Sequence, residues 1–104
     1  MKLGSILTGS KHEAFAQALA KEFISSIPPE LTKNLSNKKN NQKFRKAINK
    51  LGVKARSYLG SVKLGIYGKA KIGNTFMWML KEEGYDEEMI ESITNDLLHT
   101  LSGK

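Results

Sequence analysis

The sequence predicts an all-α domain, a small bundle of four to five helices that ends in a tight helical hairpin. Apolar residues recur at spacings of three and four through most of the chain. Helix start and stop signals bound the periodic stretches. No alternating apolar–polar run between turn formers reads as a strand. At 104 residues the chain is one domain, 1–104, with a single modest core.

Residues 1–9 are read as an N-terminal arm, with Leu3, Ile6 and Leu7 as its apolar positions. Ser10, followed by Glu13 at capping-box spacing, opens the first helix. Phe15, Ala18, Leu19, Phe23 and Ile27 form its inner stripe, and Pro28-Pro29 ends it. Residues 30–41, which include the turn formers from Ser36 to Asn41, read as a basic polar loop.

From Gln42 to Lys63 the periodicity is clearest. Phe44, Ala47, Ile48, Leu51, Ala55, Tyr58, Leu59 and Val62 share one arc of about 120° on a helical wheel. Gly52 lies off that arc and leaves open whether 42–63 is one helix or two turning at Leu51-Gly52-Val53. Gly60, Gly65, Gly68 and Gly73 make 60–73 a flexible connector, and Asn74 caps a short helix running to Glu83. Gly84 is a left-handed helix stop, with Tyr85 folding back on Leu80. Asp86 caps the last helix, where Glu87 and Glu88 complement the dipole and Met89, Ile90, Ile93, Leu97 and Leu101 face inward. The two-residue link between these last helices forces the hairpin.

Charge is distributed in three blocks. Residues 1–30 are neutral, 31–71 hold twelve cations and no carboxylate, and 72–104 carry a net charge of −5. A solubilising surface usually mixes signs. An unmixed cationic block instead attracts polyanions. The expected contacts to nucleic-acid phosphates come from Lys38, Lys39, Lys43, Arg45, Lys46, Lys50, Lys54, Arg56, Lys63, Lys69 and Lys71. Lysine outnumbers arginine ten to two in the block, which favours point-charge attraction over bidentate base reading. Tyr67, between Lys63 and Lys69, is a candidate for stacking on an unpaired base. Phe76, Met77, Trp78 and Met79 form the apolar run of the fourth helix and are a candidate partner surface, for a homodimer or another protein.

Leu51-Gly52-Val53-Lys54-Ala55-Arg56-Ser57-Tyr58 resembles the turn and second helix of a helix-turn-helix, which implies Val53 in the core and Lys54, Arg56 and Ser57 at a groove. Ile48 stands where that motif wants a small residue, so a plain amphipathic helix is the stronger reading. Gly65-Ile66-Tyr67-Gly68 has the spacing of the clamp in KH domains, but with apolar central residues and without the strands that fold needs. The turn from Glu83 to Glu88 resembles the Gly-aromatic loop of small ubiquitin-binding helical domains and the helical repeats of recombination regulators, and the likeness stops at the turn and its flanking helix ends.

The absence of cysteine excludes disulfides and thiolate zinc sites. No apolar run approaches the roughly 20 residues of a membrane span, and the first nine residues lack a signal-peptide core. A cytoplasmic protein without metal or cofactor is expected. The two histidines, His12 and His99, are isolated in sequence from any nucleophile or ligand set, so no enzymatic chemistry is expected. The expected function is nucleic-acid binding, DNA or RNA. The alternative is an adaptor or inhibitor whose basic face meets an acidic protein.

Overall fold

Five helices take up the periodic stretches in the computed structural model, which describes residues 10–103. They are α1 (Ser10–Ser26), the single turn α2 (Pro29–Thr32), α3 (Lys38–Ser61), α4 (Ile66–Glu83) and α5 (Glu87–Leu101). No strand occurs among the described residues. The arm expected over 1–9 lies outside them.

The four long helices form a bundle in which α1 packs on α3 and α4, and α5 packs on the same two. Named contacts fix their directions. His12 of α1 meets Tyr58 near the end of α3, while Glu22 meets Lys50 and Lys54, so α1 and α3 are antiparallel. His12 also lies beside Gly68 and Ile27 beside Tyr85, so α1 runs parallel to α4. Gly73 against Leu98 and Lys69 against Ser102 make α4 and α5 antiparallel. Helices α3 and α4 therefore stand across the core from one another, joined by residues 62–65.

The core takes Leu19, Phe23 and Ile27 from the first segment, Leu51 and Ala55 from α3, Ile72, Phe76 and Leu80 from α4, and Ile90, Ile93, Leu97 and Leu101 from α5. Each large side chain buried there contributes about 1.5–3 kcal/mol. Within α1 the inner stripe is completed by Ala16 and Ala20, whereas Ala18 is exposed. Phe15 is half-buried and stacks on Tyr58 with ring centroids 3.9 Å apart.

Several expectations are corrected, and one open alternative is resolved in favour of the plain amphipathic helix. Helix α3 runs unbroken through Gly52, and Val53 is 57% exposed rather than in the core, which removes the helix-turn-helix. The 30–41 loop shrinks to 33–37, because Asn37 caps α3 by accepting the Asn40 N–H at 3.0 Å. Asn40 and Asn41 add side-chain bonds back to the carbonyls of Asn34 and Leu35, so the turn formers build the helix start. The connector over 60–73 is also shorter: α4 begins at Ile66 and buries Gly68 and Gly73. A Cβ on Gly68 would meet Leu64 at 2.7 Å and His12 at 3.0 Å, and one on Gly73 would meet Leu98 at 3.0 Å. These glycines serve close helix approach rather than a bend, and Asn74 lies mid-helix on the outside. The G-x-x-G spacing is thereby the first turn of α4. Asp86 occupies the N-cap of α5 without a side-chain cap bond.

The closing hairpin is as the sequence implied. Gly84 sits at φ 96°, and the Tyr85 N–H returns to the Leu80 carbonyl while the Gly84 N–H returns to Lys81. The Tyr85 hydroxyl donates to the Ile27 carbonyl, tying the hairpin tip to the end of α1. Burial, aided by the charges of Glu83 and Glu30, pushes that phenol up to about 12.

Candidate nucleic-acid interface

The site is built on α3. This helix forms because Asn37 satisfies its first turn and because Phe44, Ile48, Leu51, Ala55 and Tyr58 supply a packing face. Over 24 residues it holds no acid. Lys38 and Lys39 stand in the first turn, against the positive end of the helix dipole, where each costs about 0.3–1 kcal/mol. Lysines also repeat at i, i+4 in Lys39–Lys43, Lys46–Lys50 and Lys50–Lys54. Each like-charge pair costs a further 0.2–0.5 kcal/mol or so.

Every cation of α3 is exposed: Lys38, Lys39, Lys43, Arg45, Lys46, Lys50, Lys54 and Arg56. The helical repeat sorts them into two rows. Lys39, Lys43, Lys46, Lys50 and Lys54 line the flank toward α1, over an axial span of about 22 Å. Lys38, Arg45 and Arg56 line the flank toward α5, where the two arginines border shallow grooves that also carry Asp96. Between the rows lies a strip of Gln42, Asn49 and the exposed Val53.

One carboxylate reaches this face. Glu22 of α1 pairs with Lys50 at 3.1 Å and Lys54 at 2.7 Å, and these are the ion pairs among the described residues. The two ammonium groups hold the Glu22 carboxyl below the usual carboxylate range, Lys54 having the larger effect. Sequence reasoning missed Glu22, since nothing short of the packing order places that flank of α1 beside Lys50. The acids of the α4–α5 tip, from Glu82 to Glu91, form no ion pair with α3 among the described residues. Asp96 and His99, three residues apart on α5, form no ion pair with each other.

The other predicted cations sit elsewhere. Lys63 is exposed in the link between α3 and α4. Lys69 and Lys71 are half-buried on α4, and the Lys69 ammonium donates to the Ser102 hydroxyl at 3.2 Å. They do not share the surface of α3. The apolar run of α4 divides: Phe76 is 0% exposed and belongs to the core, which withdraws it from any partner surface. Met77 and Met79 are half-buried and pack against the core, while Trp78 is 56% exposed with the Lys81 ammonium 5.2 Å from its ring centroid. Tyr67 is 72% exposed on the same helix.

His12 is engaged in structure, its Nδ1 being 2.6 Å from the Tyr58 hydroxyl. Among the described residues no three His, Asp or Glu side chains come together to hold a metal, and no helix is long and apolar enough to cross a membrane. No family model, curated protein or solved structure matches the chain.

Proposed function

We propose that this protein binds nucleic acid through the outer face of α3, by contacts to backbone phosphates rather than by base reading or catalysis. The observation that carries the reading is the cationic face itself, on which Glu22 pairs with Lys50 and Lys54 and no other carboxylate forms an ion pair among the described residues. Eight cations stand on a helix without an acid, two of them where the helix dipole opposes them. Stability alone would favour mixed signs there, and natural sequences depart from such local rules mainly at functional positions. Phosphates would relieve the repulsion. The row from Lys39 to Lys54 covers about 22 Å, a length over which one strand of B-form duplex offers about six phosphates. A cytoplasmic setting, in contact with DNA or RNA, suits such a surface.

The test is fluorescence anisotropy with a mixed-sequence duplex and a mixed-sequence single strand. If the five lysines of the row each meet a phosphate, affinity falls about 500-fold between about 50 and 200 mM salt. The variant Lys39→Glu/Lys43→Glu/Lys46→Glu leaves the Glu22 pairs intact and is expected to lose more than tenfold in affinity. Its salt slope should fall by about one for each lysine changed. Unchanged binding by a variant with wild-type helix content would overturn the proposal. A target that is an acidic protein would instead appear as a partner retained after nuclease treatment, with no binding to either probe.

A further inference from the structure

We propose that the outer face of α4 is a stacking platform for unpaired bases, so that the preferred ligand is single-stranded nucleic acid. The inference rests on the phosphate-binding reading of α3 and adds a second, chemically different surface to it. Tyr67, Lys71, Asn74 and Trp78 follow one another at i, i+4, i+7 and i+11, which aligns them in one stripe along the helix. The inner arc of α4 is already filled by Gly68, Ile72, Gly73, Phe76 and Leu80. The two large rings of the stripe are therefore left in solvent although the core is complete without them, and it is their alignment on one face with Lys71 and Lys81, rather than exposure alone, that points to a partner.

The chemistry of the stripe selects the partner. A protein hot spot needs contiguous apolar area. Here the rings are separated by about 16 Å along the helix, and Lys71 and Asn74 stand between them. Lys81 is held over the face of Trp78. Aromatic faces interleaved with ammonium groups match a chain of bases joined by phosphates: the rings stack, the cations meet the backbone, and an amide can meet a base edge. The rings are too far apart for adjacent bases, so each takes a separate one.

Topology links the two surfaces. The end of α3 leads through exposed Lys63 to Tyr67 in the first turn of α4, and α3 and α4 lie on opposite sides of the core. The molecule is only 29 Å and 19 Å across its shorter axes. A duplex, with a persistence length of about 150 bp, would have to be sharply bent to follow that body, a cost that a single strand does not meet. A single strand leaving the lysine row can turn past Lys63 and lay bases on Tyr67 and Trp78.

The test uses the full chain and the variants Tyr67→Ala, Trp78→Ala, their combination, and the conservative pair Tyr67→Phe and Trp78→Phe. The probes are an unstructured mixed-sequence single-stranded DNA and its duplex. Trp78 is the only tryptophan, so its fluorescence reports stacking directly in the wild type. Expected are quenching by the single strand but not by the duplex, and a loss of single-strand affinity of about thirtyfold or more in the double alanine variant. Duplex affinity should stay within about twofold of the wild type, and the phenylalanine pair should recover most of the single-strand binding. Equal single-strand binding in wild type and double alanine variant, without quenching, overturns the platform while leaving the α3 reading intact. Sedimentation showing a wild-type dimer that Trp78→Ala dissociates also overturns it, by giving the stripe to a second copy. No binding of either probe by the wild type defeats both proposals.

Discussion

Glu22 sets one carboxylate between two ammonium groups, Lys50 and Lys54, at the edge of the lysine row. All three side chains are partly solvated, so the pairs are worth at most about 1 kcal/mol in stability. On the proposed phosphate-binding reading, their larger effect is to occupy two cations that a phosphate would otherwise meet. We expect Glu22→Gln to leave Tm nearly unchanged, to tighten duplex binding several-fold at low salt, and to steepen the salt dependence. Anisotropy titrations beside a thermal melt check this, and an unchanged affinity would assign the pair to packing alone. Protonation has the same sense. The carboxyl is held below its usual range, so the pairing is present above that range and is lost as pH falls through the lowered value.

Among the elements, α3 and α4 show how glycine divides into two uses. A Cβ at Gly52 would meet only the flexible Arg56 guanidinium, at 3.4 Å, whereas one at Gly68 would collide with Leu64 and with a His12 ring already bonded to Tyr58. Gly52→Ala should therefore stabilise by up to about 0.8–1 kcal/mol through helix propensity. That raises Tm by roughly 4–8 °C in a domain of this size. Gly68→Ala gains the same propensity but must displace its neighbours, and a net loss of Tm is expected. Paired thermal melts decide the two signs. The same distinction explains what could be read beforehand. The apolar arc and cationic rows of α3 were legible from 42 onward because period and charge are properties of one segment. The closing hairpin was legible because Gly84 and its flanking residues act locally. The start of α4 was not, since a glycine in a connector and a glycine under a neighbouring helix look alike until the neighbour is known. Tyr67 and Trp78 could each be singled out by residue type, but their shared stripe depended on 66–73 being helical.

At the scale of the molecule, positive charge is gathered on α3 and negative charge on the α4–α5 tip, and no ion pair joins the two among the described residues. Repulsion within the cationic face is left for counter-ions to screen. Added salt should thus raise the Tm of the free protein modestly while weakening its complexes, opposite trends that a salt series of melts with and without duplex will separate. The antiparallel pairing of α4 with α5 joins neighbours in sequence, whereas α1 finds its principal support on α4, half a chain away. During synthesis the first helix emerges without that support, and a 17-residue helix is marginal alone. At about 5–20 residues per second the ribosome takes several seconds to complete α4. For that interval the greasy side of α1 has no α4 to cover it, so the unfinished chain shows apolar surface before it has a core.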